Sequence, residues 1–296
     1  MQHFWHSIRT WAYWRYAIFS LDALKTFFAV LGGYWLLVEF LSYFGVIDTK
    51  AEILSKYGPW IALSISLLAI AVVLISRRPV KRIICPIKKK ELKIEVRIGD
   101  IFDCNGERVI STNTTFDTDT SNGLISPHSL QGIFTQRFFA NNLSGLDSEI
   151  DTALENENSE TVDNLKGKNK RYPLGTVAKL PLCNEHYYLL AMAHMNEDGN
   201  AYSTPRMLEE ALDGLWKFMK QRGELGTIVV PLMGTGRGRV RKNRKEIISM
   251  IASSFLEAAQ DNVFSHKLVI VIHPSDYREH NLNLFEVRDF LGHTLG

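Results

Sequence analysis

Cysteine is scarce in this sequence. The 296 residues contain three cysteines, at positions 85, 104 and 183. They form no CxxC pair, and no histidine follows at the spacing of zinc ligands, so the pattern excludes a disulfide scaffold and a zinc finger. The simplest interpretation is that all three are small packing residues in a reducing, cytoplasmic setting.

A large excess of charge of one sign is also missing. The chain has 34 Lys+Arg against 32 Asp+Glu, a net charge of +2, and 46% hydrophobic residues. This composition excludes a disordered chain and an acidic tail protein. Residues 77–90, however, hold no acid and these basic side chains: Arg77, Arg78, Lys81, Arg82, Lys88, Lys89 and Lys90. Such a local cluster predicts an anionic partner close by and argues against general nucleic-acid binding.

Two long apolar runs occupy the N-terminal third. Thr26–Phe44 contains one charged residue, Glu39, and Gly58–Ile75 contains none. As helices with a rise of about 1.5 Å per residue, each would extend roughly 27–29 Å, close to the ~30 Å hydrocarbon core of a bilayer. Buried helices of a soluble domain are the alternative, but Trp35 and Trp60 stand where interfacial aromatics are expected. We therefore predict two membrane spans.

The charges around these runs predict their orientation. Arg9, Arg15 and Lys25 precede the first run, and the basic cluster follows the second. By the positive-inside rule, a multi-pass protein of the cell inner membrane with both termini in the cytoplasm is expected. Ala29 and Gly33 are four residues apart, and small residues at this spacing let helix backbones approach closely. We expect a lipid bilayer and further copies of the chain as partners, with a tetramer as one candidate homo-oligomer.

From about residue 91 the composition is that of an ordinary soluble domain, so the predicted division is 1–90 and 91–296. Strand-like and helix-like segments alternate there, which predicts an α/β domain with a mixed sheet flanked by helices. The expected strands are Leu92–Ile98, Arg108–Thr112, Thr176–Leu180, Tyr187–Ala193, Thr227–Pro231 and Leu268–Ile272. The expected helices are Ser129–Phe139, Pro205–Gln221, Arg244–Asp261 and Leu284–Leu291. The polar stretch Asp151–Arg171 is expected to be a surface insertion.

A glycine-rich segment, Pro231–Arg239 (PLMGTGRGR), lies between an expected buried strand and an expected helix. Glycine N–H groups can line a concave anion site, and the N-terminus of the next helix favours negative charge. The segment matches neither GxxxxGK[ST] nor GxGxxG. It therefore indicates a phosphate site of unspecified type, with a tight strand-to-helix turn as the alternative.

Four segments, in their order along the chain, resemble the macro-domain family. They are the GDI at Gly99–Ile101, the strand end Val109–Thr114, the P-x-G turn in Tyr172–Thr176, and the P-x-x-x-T-G loop that begins at Pro231. The resemblance covers roughly residues 92–275. It implies binding of ADP-ribose and its derivatives as ligand, with no separate cofactor or metal.

The resemblance also implies roles for individual residues. Asp100 would accept a hydrogen bond from the adenine amino group, Ile101 would offer its backbone N–H to the same ring, and Asn113 would approach the distal ribose. The diphosphate would be wrapped by Gly234, Thr235, Gly236, Arg237 and Gly238. The opposite wall is expected to comprise Ser126, Ser129, Gln131 and Gly132. Asp100 as a turn residue and Ser129 as a helix N-cap remain the alternatives.

The sequence departs from the ADP-ribosyl-hydrolase members of that family. In those members a glycine-rich loop follows the Asn, whereas Thr114–Asn122 here (TTFDTDTSN) has no glycine. No acid–base pair stands at a usable spacing, and His128, His194 and His273 are candidates by position only. We therefore assign no catalytic residue and expect a binder, not an enzyme.

Two spans followed by a macro-like domain resemble the membrane-anchored effectors of type II Thoeris, a bacterial anti-phage system. The resemblance implies that a partner TIR-domain enzyme makes a diffusible nucleotide messenger, identified in that family as histidine–ADP-ribose. Binding would then assemble the effector, disrupt the membrane and cause abortive infection. A membrane-tethered ADP-ribosyl hydrolase and a scaffold that reads ADP-ribose remain the alternatives.

Overall fold

The computed structural model divides the chain into two compact units, Met1–Val80 and Lys81–Gly296. The residues it describes are 2–46, 52–87, 91–121, 123–162, 167–182, 185–196, 199–234, 240, 242–260 and 262–295. These two units meet at 80/81, whereas the sequence predicts a division at 90/91. Part of the basic cluster of residues 77–90 forms strand β1 (Arg82–Ile87), which pairs antiparallel with β2 (Leu92–Ile98) and belongs to the second unit.

The first unit consists of helices in its described part. Two short helices, α1 (Gln2–Ile8) and α2 (Trp11–Ala17), precede α3 (Leu21–Tyr43) and α4 (Glu52–Ser76). Leu21–Tyr43 and Lys56–Ser76 are long and apolar enough to cross a membrane, judged by length and composition. Their apolar side chains are largely exposed, as at Trp35 (70%) and Trp60 (68%). Exposure of this kind is unlike a core helix of a soluble domain, which is the alternative that the sequence left open.

The second unit is a mixed α/β domain, as predicted. After β1 and β2, its strands are β3 (Glu107–Asn113), β4 (Glu160–Thr161), β5 (Lys170–Arg171), β6 (Val177–Leu182), β7 (Glu185–Met195), β8 (Ala201–Tyr202), β9 (Thr227–Pro231) and β10 (Lys267–Ile272). The main sheet has the strand order β1-β2-β10-β9-β3-β7-β6, with β8 paired to β7. In the described residues, β2, β10, β9, β3 and β7 run parallel, and β1, β6 and β8 run antiparallel to their neighbours.

Helices cover both faces of this sheet. They are α5 (Leu130–Phe139), α6 (Leu143–Ala153), α7 (Pro205–Arg222), α8 (Arg244–Ala258), α9 (Pro274–Glu279) and α10 (Leu284–Leu295). Helix α7 begins where the sequence predicts, because Thr204 accepts a hydrogen bond from the Met207 N–H (3.2 Å) and Pro205 occupies the first helical position. Residues 151–171, expected to be a surface insertion, contain the end of α6 and the β4–β5 hairpin in their described part.

The parallel strands bring their carboxyl ends to one edge of the sheet. The Gly99 N–H donates to the Ile272 carbonyl (3.0 Å), and the Leu232 N–H donates to the Val271 carbonyl (2.8 Å). These bonds hold the segments after β2, β9 and β10 side by side. In open α/β sheets, ligands bind in the crevice outside this edge, so the fold indicates where a site would form.

Candidate functional site

Three of the predicted binding segments follow neighbouring or near-neighbouring strands at this carboxyl edge. Asp100 and Ile101 come after β2, Asn113 ends β3, and Gly234 lies just beyond β9. The strand order places β10 and β9 between β2 and β3. Segments that are far apart in sequence are therefore gathered along one crevice.

Asp100 stabilises the turn that follows β2. Its Oδ1 accepts a hydrogen bond from the Phe102 N–H (3.0 Å) and so caps the short 3-10 helix Ile101–Asp103. This is the turn role that the sequence offered as an alternative. A carboxylate has two oxygens and about four acceptor positions, so one capping bond leaves capacity for an exocyclic amine. Ile101 places its side chain in the core, where it is 4% exposed.

The glycine-rich segment is anchored at both ends. Gly234 has a φ of +71°, a left-handed conformation that favours glycine, and its carbonyl accepts a hydrogen bond from the Val240 N–H (3.0 Å). A Cβ at position 234 would lie 2.9 Å from Val240 Cβ and closer still to Val240 Cγ2. Gly234 and Val240 are therefore in direct contact. Thr235, Gly236, Arg237 and Gly238 lie outside the described residues, and their diphosphate role stays a prediction.

The helix after this segment has its own cap. The Asn243 side chain accepts a hydrogen bond from the Glu246 N–H (2.9 Å) and donates to Glu246 Oε1 (2.7 Å). The cap satisfies the Glu246 backbone N–H at the start of α8, and the bond from the Asn243 amide holds the Glu246 carboxylate in the first turn. The Glu246 carboxylate thus partly neutralises the positive N-terminal end of the α8 dipole. A phosphate bound here would therefore depend more on the N–H groups of the glycine-rich segment than on the helix N-terminus.

Asn113 is turned into its own loop. It is 3% exposed, its Nδ2 donates to Asp117 Oδ2 (2.7 Å), and its Oδ1 accepts a hydrogen bond from the Asp117 N–H (3.0 Å). Both polar ends of the amide are therefore engaged by one residue. The contact with a distal ribose that the resemblance implies for Asn113 stays a prediction.

Asp117 is the residue that the sequence analysis missed. It is 3% exposed and, besides Asn113, accepts hydrogen bonds from Thr115 Oγ1 (2.5 Å) and from the Lys168 N–H (2.7 Å). Its backbone carbonyl accepts a further bond from Gln131 Nε2. A buried carboxylate with several donors fixes a loop strongly. The available signal was an acid four residues after Asn113 in a polar segment at a strand end.

The opposite wall is organised by the start of α5. Ser129 is the N-cap: its Oγ accepts a hydrogen bond from the Gly132 N–H (3.0 Å) and donates to the Ser126 carbonyl (2.6 Å). A Cβ at Gly132 would lie 2.9 Å from Pro127 Cα and closer to the Ser126 oxygen, so the segment requires glycine there. Ser126, Ser129 and Gly132 thus form one turn, which Gln131 joins to the Asp117 loop. Ligand contacts by these four residues stay a prediction.

His194 stands near the end of β7, next to the same loop. Its Nδ1 lies 3.1 Å from Thr114 Oγ1, and its ring centroid lies 5.9 Å from that of Tyr202. Burial lowers the pKa of His194 below its ordinary value, and the positive charge of Arg171 lowers it further. The structure therefore favours the neutral imidazole at this position.

This shift predicts a pH dependence of stability. The unfolded chain takes up the His194 proton near pH 6.5, whereas the folded chain takes it up at lower pH. The contribution of neutral His194 to stability is thus full above about pH 6.5 and declines as the pH falls from there through the folded pKa. Thermal unfolding of the full chain in detergent, followed across this range, should show the decline. We expect His194→Gln to flatten it, and an unchanged slope in that variant would contradict the assignment.

Metal ligands do not cluster among the described residues of this edge. In the described residues, no group of three or more His, Cys, Asp or Glu side chains is arranged to hold a metal ion. The polar groups gathered here are backbone N–H groups, hydroxyls, an amide and carboxylates. Such groups can recognise a nucleotide by hydrogen bonding.

Comparison with known proteins gives three kinds of match. A family model described as Thoeris protein ThsA, Macro domain, matches residues 94–273. A curated relative, Thoeris protein ThsA of Bacillus amyloliquefaciens (strain Y2), is 23% identical over 206 residues, which cover 67% of each chain. Among solved structures, a mutant of the Oceanobacillus iheyensis macrodomain matches with a TM-score of 0.48 and 14% identity, covering 73% of this chain and 98% of that one. The same macrodomain with ADP gives 0.46 and 15%, covering 72% and 96%.

Proposed function

Because this chain belongs to the family of Thoeris ThsA macro domains, we propose that it senses an ADP-ribose-derived nucleotide in anti-phage defence. The family match over residues 94–273 is the observation that carries this proposal, and it bears out the resemblance inferred from the four sequence segments. The match begins within β2 and ends just after β10, so it includes every segment at the carboxyl edge described above.

The geometry supports a site in which separate segments of the crevice contact separate parts of the ligand. The Asp100 carboxylate would read the adenine amine, and the segment anchored at Gly234 would hold the diphosphate through backbone N–H groups. The loop organised by Asp117 would then lie towards the distal ribose. A partner TIR-domain enzyme would act on this chain through the diffusible messenger, for which histidine–ADP-ribose is our candidate.

We expect Asp100→Ala to weaken binding of ADP-ribose by about 1–3 kcal/mol, the range for losing one partner of a charged hydrogen bond. The variant also loses the cap on Phe102. Asp100→Ser is therefore the matched control, because serine can retain the cap while it removes the second carboxylate oxygen. Calorimetric titration with adenine- and hypoxanthine-containing ligands checks the contact. Wild-type affinities of both variants for both ligands would contradict it.

We propose a binder and not a hydrolase. The loop after β3 is closed on itself by Asn113 and Asp117, whose polar side-chain atoms bond to each other and to neighbouring residues. Such a loop is suited to shaping a pocket, and its acid already serves three donors. Incubation of the protein with ADP-ribose conjugates tests this: tight binding without turnover is expected, and turnover would favour the hydrolase alternative.

We further propose that α3 and α4 anchor the protein in the inner membrane, with both termini in the cytoplasm. Two helices from one chain are too few to enclose a channel, so damage to a membrane requires a homo-oligomer. At Gly32 and Gly33, a Cβ would meet no atom within 4 Å in the described chain, so this face of α3 is open to a helix from another copy. A ligand promotes such assembly only if it binds the assembled state more tightly.

Dye release from liposomes tests the whole proposal. The full chain, reconstituted in vesicles of phosphatidylcholine and phosphatidylglycerol, should release dye when an ADP-ribose conjugate is added and should release little without it. Leakage that does not depend on the ligand would contradict gating. Binding of the ligand without leakage would contradict the effector role and favour an ADP-ribose-reading scaffold.

A further inference from the structure

The segment before the first long helix exposes an unusual number of aromatic side chains. We call Gln2–Ser20, which contains α1 and α2, the N-terminal aromatic segment. Trp11 is 70% exposed, Phe19 69% and Trp5 56%. The rings of Trp11 and Phe19 lie 6.0 Å apart, so they form one surface. Soluble proteins rarely expose such patches without a partner.

The charge of this segment has one sign. Residues 1–20 contain Arg9 and Arg15, both exposed, and no aspartate or glutamate. Tryptophan and tyrosine with arginine, and without acids, are typical of segments that lie at an anionic membrane surface. The charge thus complements anionic lipid headgroups and not a basic partner.

The segment has a defined structure despite the shortness of its helices. Trp14 Nε1 donates to the Ile8 carbonyl (2.7 Å), and Thr10 Oγ1 donates to the Ser7 carbonyl (2.7 Å). These bonds join α1 to α2 across the connecting turn. Tyr13 and Tyr16 are buried on the inner side of α2, while Trp11 and Phe19 are exposed. The segment therefore has a buried side and an exposed aromatic side.

Arg77 fixes the position of this segment relative to the long helices. It lies just after α4, is 7% exposed, and donates to the Tyr16 carbonyl (3.1 Å) and to Ser20 Oγ (2.7 Å). Its guanidinium also lies 4.6 Å from the centroid of the Tyr16 ring. The end of α2 is thus held level with the start of α3 and the end of α4. If those helices span a bilayer, this level is the cytoplasmic headgroup region.

We propose that the N-terminal aromatic segment binds the cytoplasmic surface of an anionic lipid bilayer, with Trp5, Trp11 and Phe19 inserted among the headgroups and Arg9 and Arg15 facing lipid phosphates. This inference rests on the membrane anchoring proposed above. The segment would contact lipid at the bilayer surface, in addition to the two spans α3 and α4. From the cytoplasmic side it would set the depth and tilt of those spans.

Depth-dependent quenching of tryptophan fluorescence tests this in the full chain. The protein is reconstituted in vesicles of phosphatidylcholine and phosphatidylglycerol that carry bromine either near the headgroup end of the acyl chain or near its methyl end. The difference between wild type and Trp11→Phe isolates the emission of Trp11. The difference between Leu67→Trp and wild type reports the middle of α4, where Leu67 is 57% exposed.

We expect shallow bromine to quench the Trp11 emission more than deep bromine, and the reverse for the tryptophan added at position 67. Omission of phosphatidylglycerol should reduce the Trp11 quenching in wild type, and the Arg9→Gln/Arg15→Gln variant should lose that lipid dependence. If the emission from position 67 is quenched and that of Trp11 is not, the inference is overturned while anchoring stands. If the protection of Trp11 from bromine quenching instead rises with protein concentration, a second copy of the chain covers this surface, and the inference is overturned as well. If neither is quenched, anchoring itself fails.

Discussion

Gly234→Val should weaken the binding of ADP-ribose at least a hundredfold, which corresponds to about 2.7 kcal/mol. The variant places a β-branched side chain at a φ of +71° and directs its Cβ against Val240, 2.9 Å from the Val240 Cβ. Valine disfavours this backbone conformation strongly, and the two side chains cannot share the space. The segment between 234 and 240 must therefore move, and with it the N–H groups proposed to hold the diphosphate.

Titration calorimetry of the full chain in detergent measures this effect. Gly292→Val is the matched control, because a Cβ at Gly292 in α10 meets no described atom within 4 Å. Gly234→Ala combined with Val240→Ala should restore part of the affinity, since it relieves the contact and leaves the unfavourable φ. Affinity close to wild type in Gly234→Val, with an unchanged melting temperature, would remove this segment from the binding site.

The central strands could be predicted from the sequence because their burial leaves a simple pattern. Strand β9 has the predicted bounds Thr227–Pro231, and β10 begins one residue before the predicted Leu268. Both are continuous apolar runs, as strands covered on both faces must be. Helix α7 could be predicted equally well, because its buried apolar residues recur at helical spacing and Thr204 and Pro205 mark its start.

The edge strand β1 and the short N-terminal helices could not be predicted in the same way. Strand β1 alternates exposed residues with buried or partly buried ones and pairs with β2 alone in the described sheet, so its arginine and neighbouring lysines resemble the flank of a span. The aromatic residues of α1 and α2 lack a helical apolar period, because their large side chains divide between a buried side and an exposed one. In both cases tertiary context decided the structure, and local pattern did not.

The candidate site shows the same limit. The segments at Asp100 and Gly234 could be found because a turn or a close approach restricts the residue type there. For Asp117 the sequence offered only its place four residues after Asn113, because one of its donors, the backbone N–H of Lys168, is 51 residues away in the chain. Only the folded chain brings the β4–β5 region against the loop after β3.

That arrangement makes Asp117→Ala the substitution with the largest expected effect on stability, about 3–5 kcal/mol. Removal of the carboxylate leaves the buried Asn113 amide and Thr115 hydroxyl and the partly buried Lys168 N–H without their acceptor. Each unsatisfied buried donor costs about 1–3 kcal/mol, and relaxation of the loop or entry of water recovers part of the sum. Asp213→Ala, which removes an exposed carboxylate paired with Lys217 on α7, should cost less than about 1 kcal/mol.

Asp117→Asn separates the charge of this side chain from its size. The asparagine amide keeps the shape of the carboxylate but directs an NH₂ group towards hydrogen-bond donors. We therefore expect its loss of unfolding free energy to lie between those of Asp213→Ala and Asp117→Ala. Urea unfolding of residues 81–296, the unit that contains the whole sheet, measures all three variants. Losses in Asp117→Ala and Asp213→Ala that are equal within error would show that the loop after β3 is held by backbone contacts alone. A large loss in Asp117→Ala together with a small one in Asp117→Asn would show that packing, and not the carboxylate charge, holds it.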